Sequence, residues 1–357
     1  MTQQVQRPRV SLAEAGARET AARIRAHARL TRVRHTCVVG AFLVLAFGLL
    51  VTQLLLTGDA EIAAGDVIPA ALGQRDGLAD YVVRRTNLPR ALVALLGGAL
   101  FGLSGALSQR LFGNPLATPD IIGISSGAGA GAMIVIAGLG ATGLGVQAGA
   151  MLGAVVVALI VYALSWSGGV QSYRLILIGI GVGACASAIV TFIVTRLDEV
   201  STQRAMLWLI GSLNGSDFEG VTLLSASLAA GLALVLLFKR PLSDLALGDE
   251  LAAGLGVRVP VIRLAALLLA TLLAALVTSV TGPIAFVALV AGPIATRLLR
   301  VPDAPVVAAL VGATLLGATD IAAQTLPLIS PVPTGAITAL FGAPVLIALL
   351  VRKKASV

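Results

Sequence analysis

The sequence predicts an all-α polytopic membrane protein with about ten transmembrane helices. Three observations carry that expectation. The 357 residues are 57% hydrophobic and only 12% charged, half the charge of ordinary soluble domains. Mean hydropathy is +0.98. The run from Leu88 to Ala132 joins two apolar, glycine-rich stretches through a short polar turn, Gln109 to Pro119, holding one arginine and two prolines. Apolarity is continuous rather than alternating, which favours helices over a transmembrane barrel. Backbone polar groups are then satisfied within each span.

Residues 1–34 form a basic arm, Ala-rich and Arg-rich, with Glu14–Arg18 and Glu19–Arg23 at helix-favouring spacing. It is expected to be a helix on the inner membrane face or partly disordered. It is no secretory signal: the charged region is too long and the apolar run behind it spans a bilayer. The membrane domain follows over 35–357, with spans predicted at 36–57, 88–108, 118–137, 144–165, 174–195, 219–238, 261–282, 285–299, 304–322 and 335–351. The eighth and ninth are short and interrupted by Pro283, Pro293, Pro302 and Pro305. Segment 196–218 is too long for a turn, and Met206, Leu207 and Trp208 before Gly211 read as a short re-entrant or surface helix. An offset of five spans would relate the second to fifth with the seventh to tenth in an inverted arrangement, although GALFGLSGAL and GATLLGATDI share little beyond small residues.

Charge placement sets the orientation. With the N-terminus inside, 19 of the 25 Lys and Arg face the cytoplasm and 6 face outward, and both termini are cytoplasmic. The net charge of +8 is therefore a topology signal and implies no nucleic-acid partner; the solvent partner is membrane lipid. Cys37 and Cys185 lie within or at the edge of apolar spans and suit neither a structural disulfide nor a metal. His27 and His35 read as solvated residues of the arm.

Gly123, Gly127 and Gly131, and then Gly179 and Gly183, recur every fourth residue, placing glycine on one helix face. Close helix packing and lining of a wide conduit are both compatible with this. GISSGAGAGA lacks the lysine of a phosphate loop and sits in a span. No catalytic constellation is visible, so the chain is read as no enzyme. Asp120 follows Pro119 at a span start, where a carboxylate favours the helix N-terminus. Asp320, late in the ninth span, is open between a proton or cation relay and a helix contact. In the inner loop 239–260, Ser243 or Asp244 is expected to cap a short helix, with an acidic side at Asp249 and Glu250 and a glycine exit. Such a helix suits either a groove in another protein or a solvated connection.

LPRALVALLGGALFGLSGALSQRLFGNPLATPDIIGISSGA, RLILIGIGV, WLIGSLNG, LALGDELAAGLGV, TGPIAFVALV and PTGAITALFGAPV occur in that order. Together they resemble the FecCD-type permeases, membrane subunits of ATP-binding-cassette (ABC) importers for iron-siderophores, cobalamin and haem. The resemblance covers about 36–351. It implies a cobalamin-permease-like, type II importer architecture: two ten-helix subunits around a conduit, a cytosolic ATPase dimer inside and a periplasmic or lipoprotein binding protein outside. ATP and Mg would be bound by the ATPase, leaving no cofactor on this chain. By resemblance, Leu247, Gly248, Asp249, Glu250, Ala253, Leu255 and Gly256 belong to the ATPase-coupling segment. Asn114, Leu116, Ser172 and Tyr173 match positions near the inner gate, and Ser125 and Ser126 would add sparse polar lining to the conduit. Arg75, Arg84 and Arg85 fall in the region facing the binding protein. Two positions depart from many relatives: Gly292-Pro293 replaces Pro-His, and Gln324 stands four residues after Asp320 where an arginine is common. The second departure suggests pairing with a non-identical permease, heterodimer over homodimer. A ferric siderophore is the expected cargo, with cobalamin or haem as the alternative and an ion-coupled secondary transporter as the competing class.

Overall fold

The computed structural model describes residues 12–56, 62–166, 172–301, 303–326 and 332–354. They form helices α1 (Leu12–Leu55), α2 (Ala64–Ala71), α3 (Leu88–Phe112), α4 (Ile124–Leu139), α5 (Leu144–Ser165), α6 (Ser172–Val194) and α7 (Glu199–Ile210). After these come α8 (Phe218–Leu237), α9 (Lys239–Asp244), α10 (Asp249–Gly254), α11 (Val259–Thr281), α12 (Val287–Leu299), α13 (Pro305–Thr325) and α14 (Thr334–Lys354). Among the described residues, 7 helical segments are long and apolar enough to cross a membrane, and α4, α12 and α14 supply shorter apolar helices. Together they account for the ten expected spans.

α1 runs without a break, so the helix of the basic arm and the first span are one rod. The third span starts later than 118. Pro119 opens a 3-10 turn over Pro119–Ile122, and α4 begins only after Gly123. The surface helix read before Gly211 is α7; Asp198 caps it by accepting from the Ser201 backbone N–H, and Gly211 ends it at φ 83°.

α3 is the hub. Of its apolar window 78% is buried, against 6% of that of α1; it packs on α13, α11, α12, α8 and α1. Glycine makes this possible. A Cβ at Gly98 or Gly102 would collide with the Gly312 or Ala308 carbonyl of α13, and one at Gly105 with the Ala288 carbonyl of α12. The fourth-residue glycines serve the same purpose: Gly127 and Gly131 abut Gly153 and Gly149 of α5, while Gly123 meets Gly183 and Gly179 meets Ile121. Their role here is helix packing, backbone against backbone.

The packing also carries the inverted offset of five. The pairs α4–α5, α4–α6, α5–α6, α5–α11 and α4–α11 all touch. So do their counterparts α12–α13, α12–α14, α13–α14, α13–α3 and α12–α3. Both short helices follow a positive-φ residue, Gly123 before α4 and Phe286 before α12. The shared property is topology and backbone form, which explains why the paired sequences match so poorly.

Candidate functional site

The loop between α8 and α11 is a chain of short helices. α9 ends at Asp244, a 3-10 turn covers Leu245–Leu247, and α10 begins at Asp249. Ser243 and Asp244 therefore close one helix instead of capping the next. The restart falls on Gly248 at φ 96°, ψ 158°, a conformation that a Cβ disfavours. Asp249 and Glu250 occupy the first turn of α10, where negative charge suits the helix dipole. Ala252 is buried on the inner side of α10, whereas Leu247, Leu251 and Leu255 are 56%, 63% and 64% exposed. Glu250, Ala253 and Gly256 are exposed as well. Every residue of the expected coupling segment thus lies on one solvent-facing ledge.

Two arginines hold this ledge to the spans. Arg263 of α11 donates both terminal nitrogens to Asp249, at 3.1 and 2.9 Å. Arg110, at the end of α3, donates to the Leu242 carbonyl of α9 and forms an ion pair with Asp303 in the α12–α13 connection. Bidentate arginine pairs fix orientation as well as distance. Between them lies a cavity of about 520 Å³ lined by Arg110, Asn114, Gly248, Asp249, Arg263 and Asp303, among others. The expected gate residue Asn114 and the expected coupling residues Gly248 and Asp249 therefore share one space.

Asn114 follows Gly113, whose left-handed φ of 60° ends α3, and its side chain accepts from the Leu116 backbone N–H at 2.9 Å. Leu116 is exposed. Beyond the turn, Ser125 donates to the Asp120 carboxylate, and Ser187 of α6 donates to Ser126 at 3.1 Å. Asp120 is thereby a partner for the first turn of α4. Tyr173, 79% exposed, stands at the start of α6; Ser172 opens that helix, and its side chain lies outside the described residues.

On the face opposite α10, Arg75 pairs with Asp66, and Arg84 and Arg85 both pair with Asp80. These three cations, chosen from sequence as a docking group, are each met by an acid within their own loop. The larger network is centred on Asp320, which is fully buried. Arg90 donates to both of its carboxylate oxygens at 2.8 Å and to Asn214 at 2.6 Å. Gln324 and Thr334 donate to the same carboxylate at 3.0 and 2.7 Å. Asp320 is a helix contact, not a free intramembrane acid, and Gln324 completes its shell. Nothing local in the sequence announces Arg90, because it lies 230 residues from its partner.

The other departure also has a local cause. Pro293 supplies no N–H to the Leu289 carbonyl one turn earlier. Gln109 of α3 donates to Leu289 and Ala288 carbonyls at 3.0 and 3.3 Å. Gly292 leaves the space that Gln109 fills, since a Cβ there would strike its amide oxygen.

The chain matches the FecCD transport family over residues 41–352. It is 36% identical over 298 residues to the ferric enterobactin transport system permease protein FepG of Escherichia coli (strain K12), covering 83% of this chain and 90% of that one. It is also 36% identical over 276 residues to the cobalamin import system permease protein BtuC of Halobacterium salinarum, covering 76% and 74%. In fold it is similar to a metal-chelate type ABC transporter solved in an inward-facing conformation, with TM-score 0.79 and 26% identity over 89% of this chain and 99% of that one.

Proposed function

The chain belongs to the FecCD transport family, and from that premise we propose that it is the permease through which a ferric-siderophore complex enters the cytoplasm, driven by ATP hydrolysis on partner subunits. The observation that carries this reading is the ledge around α10. Three exposed leucines and Glu250 offer an ATPase a surface, and Arg263 and Arg110 tie that surface to α11 and α3. Movement of α10 would thus reach Asn114 through a shared cavity wall rather than through solvent. Binding that favours one position of the ledge would shift the balance between inward- and outward-open states.

The ledge then faces the cytoplasm, with both termini, and the Asp320 network lies outside, where a binding protein would deliver cargo. A second permease subunit would complete the conduit, with a non-identical partner favoured. Ser125, Ser126 and Ser187 would give the conduit hydroxyls, with Asp120 held by Ser125, a sparse polar lining that suits passage of a bulky chelate without trapping it. The ion-coupled alternative loses its acid, since Asp320 is engaged by Arg90, Gln324 and Thr334. Cobalamin remains the second cargo reading, favoured by the halobacterial relative.

The test is uptake of radiolabelled ferric siderophores by cells lacking this chain, complemented with wild type or Glu250→Ala. Loss of uptake, restored by wild type and not by the variant, is the expected result. Unchanged uptake across a broad siderophore panel, with loss of cobalamin uptake, would replace the cargo and keep the mechanism.

A further inference from the structure

α11 begins beside α10 and its 23 residues rise about 34 Å at 1.5 Å each, so its far end, Ser279 and Val280, marks the membrane face opposite the ledge. Those two residues line a cavity of about 270 Å³ together with the α4–α5 hairpin and α7. Its polar lining comprises Arg204, Ser201 and Trp208 of α7, Thr142 and Gln147 of the hairpin region, and Ser279. Among the described residues, no acid lines it.

Arg204 stands apart from the other cations of this face. Arg75, Arg84, Arg85 and Arg90 each pair with a carboxylate, and Arg196 stacks 5.1 Å from the Phe192 ring centroid. Among the described residues, Arg204 has no acidic, hydrogen-bonding or aromatic partner. Among the described residues, the Gln147 amide, the Ser201 and Thr142 hydroxyls and the Trp208 indole N–H likewise have no hydrogen-bond partner. A fork of guanidinium donors with several further unspent donors around it matches a phosphate. The rim places that phosphate at the lipid boundary. Leu139 and Leu144 at the hairpin are 78% and 59% exposed, and Met206 and Leu207 of α7 are about half exposed. A tryptophan beside them sits where amphipathic rings anchor at headgroup level.

We propose that the Arg204 pocket is a binding site for a phosphate ester of net negative charge, with the headgroup of an anionic phospholipid of the outward-facing leaflet as its principal source. The inference rests on the orientation proposed above, with the ledge inside, and holds whatever the cargo is.

The chain has 2 tryptophans, and Trp166 lies at the end of α5, packed edge-on to Tyr162. Trp166→Phe therefore leaves Trp208 as a single reporter inside the pocket. The full-length variant in nanodiscs is mixed with brominated phosphatidylglycerol or brominated phosphatidylcholine, and quenching of Trp208 is read for each. The expected preference for phosphatidylglycerol is about fivefold, the ratio that corresponds to roughly 1 kcal/mol for one surface arginine. It should fall to parity in Arg204→Gln, an exposed substitution that leaves the fold intact, and should weaken in Gln147→Ala. A second arm adds glycerol phosphate to the protein in detergent. A saturable, Arg204-dependent fluorescence response there, without lipid preference in nanodiscs, assigns the site to free phosphate. Equal quenching by both lipids with no response to glycerol phosphate overturns the proposal, as does a lipid preference that survives Arg204→Gln.

Discussion

Asp320 shows how one residue's role depends on a partner that sequence spacing does not reveal. An acid in an apolar helix is a functional candidate by default, yet Arg90, Gln324 and Thr334 engage its carboxylate. Removing one member of a buried pair strands the other, at a cost of about 3–5 kcal/mol. Arg90→Ala should therefore destabilise the protein in detergent by that order, measured by thermal unfolding. Asp320→Asn should cost stability before it costs ion coupling; a stable Asp320→Asn protein with abolished proton-dependent transport would contradict this. On the opposite face, Asp249 and Arg263 join the ledge to α11. Asp249→Arg and Arg263→Asp should each uncouple ATP hydrolysis from transport, and the double exchange should recover part of the coupling. Failure of the exchange to recover anything, with the ATPase still bound, would remove this pair from transmission.

At the scale of elements, backbone form tells more than composition. Phe286 has φ 68° and ψ −30°, and the Val287 N–H donates to the Ala285 carbonyl at 2.9 Å, the pattern of a γ-turn strained for a non-glycine residue. Such strain is worth about 1–3 kcal/mol. Both Phe286→Gly and Phe286→Ala remove the ring, so their difference isolates the backbone. Glycine should be the more stable of the two by about 1 kcal/mol; the reverse order would show that the strain is absent in solution. α7 offers a pH test. Hydrogen bonds from Ser201 to Asp198 hold its carboxyl below the ordinary aspartate range. A depressed folded-state pKa stabilises at pH above the unfolded value of about 3.9, and the benefit is lost as pH falls through the lower folded value. Protection of α7 amides from hydrogen exchange should drop there in the wild type, and the drop should be absent in Asp198→Asn. An identical pH profile for both proteins would exclude Asp198 as the cap that titrates.

For the whole molecule, composition and positive-residue placement made the spans legible, because bilayer thickness sets helix length. α5, α6 and α8 start and end within two residues of expectation. The late start of α4 was not legible, since Pro119 was read as the span start and Gly123 as a packing glycine, whereas together they delay the helix. The ledge was legible as a segment, since Gly248 and Gly256 punctuate it. Its fastening was not: Arg110 and Arg263 looked like inside-facing topology charges, and their contacts are tertiary. The arginines expected to dock a binding protein were legible only as charges; in the structure Arg75 pairs with Asp66, and Arg84 and Arg85 share Asp80.

On the proposed reading, α10 passes the ATPase's work to the spans for import of a ferric chelate. The measurement that tests it most directly is chelate uptake into proteoliposomes holding this permease with its second subunit, ATPase and binding protein, for wild type and Glu250→Ala. ATP-dependent accumulation by wild type is predicted, with Glu250→Ala still assembling and hydrolysing ATP but accumulating little. Uptake driven by a proton or sodium gradient without ATP, and indifferent to Glu250→Ala, would contradict the account.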